Sequence, residues 1–81
     1  QNYPNPFNPT TSISFTLSKV ENVSLTVYNI IGQEVASLVN GQMNAGLHVV
    51  TFNAAKLASG IYFYRLHAGD FVAIKKMVML K

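Results

Sequence analysis

The sequence predicts an all-β fold, an antiparallel β-sandwich of about six to seven short strands, and three observations carry that reading. Apolar and polar residues alternate over short stretches. In residues 12–17, for example, Ile13, Phe15 and Leu17 fall on one face while Ser12, Ser14 and Thr16 fall on the other. Turn-forming residues recur roughly every 8–12 positions. No stretch shows the apolar spacing of an amphipathic helix.

The elements follow in chain order. After the first strand, Ser18-Lys19-Val20-Glu21-Asn22 is a mostly polar break. A second strand over residues 23–28 sets Val23, Leu25 and Val27 against Ser24, Thr26 and Tyr28. Asn29-Ile30-Ile31-Gly32-Gln33 reads as a tight turn, with Gly32 supplying a positive φ. The third strand, residues 34–39, breaks the alternation because Val35 and Leu38 are three apart; a bulge or one helical turn is expected. Asn40-Gly41 is a turn signal, and Gly46 closes that loop. A fourth strand over residues 47–53 alternates His48, Val50 and Phe52 with Val49, Thr51 and Asn53. Residues 54–60 are too short for a stable helix and too alanine-rich for a strand, which predicts a single-turn crossover ended by Gly60. The fifth strand, residues 61–67, is apolar on both faces and therefore central. Ala68-Gly69-Asp70 turns the chain into a last strand, residues 71–80. The expected inward set is Ile13, Phe15, Leu17, Val23, Leu25, Val27, Val50 and Phe52.

Ahead of these strands lies Tyr3-Pro4-Asn5-Pro6-Phe7-Asn8-Pro9-Thr10-Thr11, which holds all three prolines of the chain. Proline fixes φ and lacks an N–H, and it pushes the preceding residue toward extended geometry. The stretch is expected to be extended, unpaired and stiff, delivering the chain onto a sheet edge. Residues 1–11 are thus a lead-in, and residues 12–81 the sandwich.

Composition sets the class. Eighty-one residues make one domain, and with 49% hydrophobic and 11% charged residues the chain should fold. Cysteine is absent, so the core alone must hold the fold. The longest apolar runs fall far below the roughly 20 residues of a membrane helix, so no membrane insertion is expected. The chain starts with neither an initiating Met nor a signal-peptide pattern, and reads as one module of a longer protein. The net charge is +3, with Lys19, Lys56 and Arg65 scattered and only Lys75, Lys76 and Lys81 clustered. That is solubilising charge, not a nucleic-acid footprint.

The sequence offers little chemistry. Glu21, Glu34 and Asp70 are scattered, whereas a glycosidase needs two carboxylates facing one bond. His48 and His67 lack metal-ligand spacing, and no catalytic, metal or cofactor site is expected. His67 and Asp70 across a hairpin turn read as an exposed histidine and a turn-stabilising aspartate. Asn22-Val23-Ser24 matches a glycosylation pattern that bears only on a eukaryotic secretory route. Tyr62 and Tyr64 share one face of a strand and, with Tyr28, could stack sugar rings; core or rim packing is the favoured reading. The tail Lys75-Lys76-Met77-Val78-Met79-Leu80-Lys81 is an apolar run bounded by lysines. It fits a guarded edge strand or a linear signal read by strand addition.

Five motifs in series resemble one family. Tyr3, Pro4, Asn5, Pro6, Phe7, Asn8 and Pro9 are similar to the opening of the type A C-terminal sorting domains of type IX (Por) secretion. The resemblance continues through Val27-Tyr28-Asn29 with Gly32-Gln33-Glu34-Val35, then Gly46-Leu47-His48 with Phe52, then Ser59-Gly60-Ile61-Tyr62-Phe63-Tyr64. It closes on Lys76, Met77, Val78, Met79, Leu80 and Lys81, with methionines where branched aliphatics are commoner in the family. The chain is also similar to the immunoglobulin-like module of flagellar hook-capping proteins.

The resemblance implies an immunoglobulin-like sandwich and a non-catalytic module. Such a module directs an attached N-terminal passenger through the outer-membrane type IX translocon to the cell surface or the medium, after transit through the periplasm. A sortase-like protease then removes it, upstream of the Pro4–Pro9 lead-in, and the passenger is released or joined to a surface glycolipid. Residues 76–81 would be the translocon-facing signal. Their deletion is expected to abolish export at modest cost in stability, whereas Phe15→Ala should cost about 3–5 kcal/mol. A carbohydrate-binding or structural spacer module of an extracellular enzyme is the alternative.

Overall fold

The computed structural model describes the backbone of residues 2–3 and all of residues 9–80. Within them run seven strands: β1 (Asn2–Tyr3), β2 (Thr10–Leu17), β3 (Glu21–Tyr28), β4 (Glu34–Met43), β5 (Gly46–Asn53), β6 (Gly60–Ala68) and β7 (Phe71–Met79). They form a three-stranded sheet in the order β1-β2-β5 and a four-stranded sheet in the order β4-β3-β6-β7. Every pairing is antiparallel. This is the expected sandwich, with β6 in the interior of its sheet as its two-sided apolar sequence required.

The alternating pattern sets which side chains meet. Ile13 and Leu17 from β2, Val23, Leu25 and Val27 from β3, and Phe52 from β5 are buried as expected. Phe15 and Val50 pack against this core but are only half-buried: Phe15 lines an open groove, and Val50 lies on β5 at the edge of its sheet. β6 adds Tyr62, Tyr64, Leu66 and Ala68, and β7 adds Met77 and Met79.

The irregular third strand resolves into two bulges. Register shifts fall between Leu25 and Thr26 and between Val27 and Tyr28, where Val39 is followed by Ser37 and Ala36 by Glu34 as cross-strand partners. The residues left over are Leu38 and Val35, the very pair whose spacing broke the alternation. Both pack against the core, so each bulge turns an extra apolar side chain inward.

Two local expectations are corrected. Asn40-Gly41 is not a turn: both residues lie inside β4, opposite Ser24 and Val23, and the chain changes sheets at Asn44 and Ala45. The long β3 partner supplies ladder bonds that outweigh the local turn preference. The lead-in is not unpaired either. Tyr3 pairs with Ser12 and Thr10 with Asn53, and the Pro9 carbonyl accepts a 2.9 Å bond from the Ala54 amide. Pro4, Asn5, Pro6, Phe7 and Asn8 lie outside the described residues.

The β3–β4 turn is held by backbone bonds from the Asn29 amide to the Gln33 carbonyl (2.9 Å) and from the Gly32 amide to the Asn29 carbonyl (3.0 Å), and by the Asn29 side chain. Asn29 Oδ1 accepts from the amides of Ile31 (3.1 Å) and Gln33 (2.9 Å), and the Asn29 amide group donates to Gln33 Oε1 at 2.9 Å. Gly32 closes it at φ 84°, a region that disfavours side chains. The 54–60 crossover is an irregular turn held by Leu57 N–H to the Ala54 carbonyl at 2.9 Å, with Ala54 buried.

Candidate functional site

The C-terminal strand β7 is an edge strand: β6 flanks it on one side, and no other described strand lies on the other. Directly opposed residues of an antiparallel pair share a face. Met77 opposes Tyr62 and Met79 opposes Gly60, and both methionines are fully buried between the sheets. The residues between and beside them point the other way. Lys76, opposite Phe63, is exposed; Val78, opposite Ile61, is half-buried; Leu80 is 54% exposed. Lys81 lies outside the described residues.

The segment 76–79 is therefore part of a paired strand and not a free tail. Alternate residues anchor it in the core, and those anchors fix the positions of the outward ones. This corrects the expectation that the segment can be removed cheaply, since its deletion takes away two buried side chains. Methionine suits the anchoring role, because an unbranched flexible thioether fills irregular space between sheets.

The outer face of the β6–β7 hairpin is unusually apolar for a solvent-facing sheet. Ile61, Val72 and Ile74 are exposed, Phe63 and Val78 half-buried, and Arg65 and Lys76 stand among them. Sequence reasoning placed no function on Val72 or Ile74. The available signal was a run of apolar residues at every position from Phe71 to Ile74, more than a half-buried strand needs.

Tyr62 and Tyr64 are turned inward, with exposures of 7% and 2%, so neither can offer a stacking surface to a sugar. The Tyr62 hydroxyl donates to the Ala58 carbonyl at 2.6 Å, tying the crossover to β6. Burial raises the Tyr64 pKa above its ordinary value of 10.0. Among the motif glycines, Gly32 sits in the β3–β4 turn, while Gly46 and Gly60 open β5 and β6.

The histidines are structural in their surroundings. His48 stacks on Phe15 with ring centroids 5.6 Å apart, and its Nε2 lies 2.7 Å from the Asn44 carbonyl. His67 pairs with Val72 across the last hairpin. Among the described residues, no group of three or more His, Asp or Glu side chains could hold a metal ion.

Fold and site together define a small β-sandwich module, immunoglobulin-like in general kind, that displays its last strand at a sheet edge. Residues 1–80 match the family model for the secretion system C-terminal sorting domain, and the chain belongs to that family, the sorting domains of type IX secretion. A search of the curated proteins and of the solved structures found no match. Family membership makes this a C-terminal sorting-signal domain that works with the type IX system. The protein that carries it is exported across the outer membrane to the surface or the medium.

Proposed function

We propose that this domain carries an N-terminal passenger through the outer-membrane type IX translocon by presenting the outward half of residues 76–81 on a folded edge strand. Lys76, Val78 and Leu80 form the face that is read, and Met77 and Met79 hold that face in place. The observation that carries the reading is the alternation itself: buried methionines alternate with outward-facing residues on the last strand of the sheet. An apolar outer face held on the last strand suits recognition by side-chain contact after folding. The domain performs no catalysis of its own. A sortase-like protease then cuts upstream of the Pro4–Pro9 stretch, separating the domain from the passenger.

A periplasm-directed fluorescent protein fused ahead of residues 1–81 tests this in a type IX-competent bacterium and in a strain lacking the translocon. Fluorescence should leave the cell only with both domain and translocon present, and mass spectrometry of the released protein should place its new C-terminus before Pro4. Folded fusion retained in the periplasm of the competent strain would contradict the export role. Export with the domain still attached would contradict the processing step.

A further inference from the structure

The first half of β7 faces a sheet that stops short of it. Phe71, Ala73 and Lys75 oppose Ala68, Leu66 and Tyr64, and so share their core-facing side. Yet Phe71 is 59% exposed while Ala68 is buried. The cause lies in the other sheet. Among the described residues, β1 covers β2 only opposite Ser12 and Ile13, and the flank of β2 from Ser14 to Leu17 has no neighbouring strand there. Between that flank and β7 runs a groove of about 480 Å³, whose apolar lining includes Ile13, Phe15, Leu17, Leu66, Phe71 and Ala73. Apolar side chains beside an uncovered strand flank are the two features that accept one more extended strand.

We infer that the groove is filled by the polypeptide that immediately precedes this domain in its parent chain, continuing β1 along β2. The register selects this occupant. Asn2 opposes Ile13 and Tyr3 opposes Ser12, so each pair of positions sums to 15. Carried upstream, the same register sets the three positions before Gln1 opposite Phe15, Thr16 and Leu17. Those opposite Phe15 and Leu17 share the core-facing side and drop into the groove, over Phe71 and Ala73; the one opposite Thr16 faces solvent. Three extended residues span about 10 Å. The inference rests on the family reading only in requiring a passenger chain upstream. Its consequence is that the passenger leaves the domain along a fixed direction at one end of the smaller sheet, with that sheet's open flank closed against edge-to-edge association.

Hydrogen exchange on the full parent chain tests this independently of export. The comparison is with a parent carrying proline at two of the three positions before Gln1, which removes their ladder bonds. Peptides covering residues 14–17 and 71–75 should be protected in the parent and take up deuterium about tenfold faster in the proline variant. Exchange across β4, none of whose residues lines the groove, should stay the same in both and report that the domain is folded. Glycine at the same positions serves as a second variant with the same expected direction. Equal uptake at residues 14–17 with and without the substitutions would overturn the inference. Protection that disappears on dilution, and not with the prolines, would also overturn it, in favour of a second copy in the groove.

Discussion

Met77 stands directly opposite Tyr62 across the β6–β7 ladder, and both side chains are buried between the sheets. The pairing makes the C-terminal segment part of the domain's core. Folding of the domain and display of the proposed signal are then one event. A passenger carrying an unfolded domain presents the same residues without the face that orders them.

Stability should follow this division residue by residue. Met77→Ala removes a fully buried side chain and should cost about 2–5 kcal/mol, and Met79→Ala a similar amount. Lys76→Ala, its neighbour on the exposed side, should cost no more than about 1 kcal/mol. Urea unfolding of the fluorescent fusion, followed through the domain's tyrosines, measures all three. Comparable losses from Lys76→Ala and Met77→Ala would mean that the alternation is not what holds the strand.

The last turn depends on a carboxylate lying over a glycine. Gly69 adopts φ 57°, and a Cβ built there would run into the Glu21 side chain. Gly69→Ala therefore meets both backbone strain of about 1–2 kcal/mol and displacement of Glu21. In a Glu21→Ala background only the backbone part remains. A double-mutant cycle measured by denaturation should show a favourable coupling, so that the double variant is more stable than the two single losses add to. Strict additivity would show that the carboxylate moves aside freely.

Alkaline pH should unfold the domain in part through Tyr64. Burial disfavours its phenolate, so its folded pKa lies above the ordinary 10.0. Its contribution is fully present below the unfolded pKa and is lost as pH rises through the folded one, because the unfolded chain releases the proton first. Tyr64→Phe should flatten the fall in stability above pH ~10 relative to the parent domain. Identical alkaline profiles would place the titration elsewhere.

Much of the fold was legible because period-2 alternation survives in β2, β3 and β5, and the inward residues read from it are the ones that pack. Where the sequence misled, longer-range pairing overrode a local preference. Asn40-Gly41 has turn chemistry, but β3 is long enough to keep both residues in its ladder. Phe15 and Val50 alternate with the core residues, yet Phe15 lines an open groove and Val50 lies on an edge strand. The site was half legible. The lysine-bounded ending drew attention to the last strand, but its residue types could not show which of its side chains are buried. Only the register with β6 shows that Met77 and Met79 turn inward. The groove beside Phe71 could not be read at all, because it arises from how far one sheet extends relative to the other.

The measurement that bears most directly on the central claim is export and stability of one variant, Lys76→Glu/Val78→Thr/Leu80→Asn, in the fluorescent fusion. These changes alter the outward face and leave Met77 and Met79 in place. The account predicts a fusion that stays folded, with its unfolding midpoint near that of the parent domain, and remains in the periplasm. Export at the parent level with the outward face so changed would contradict it.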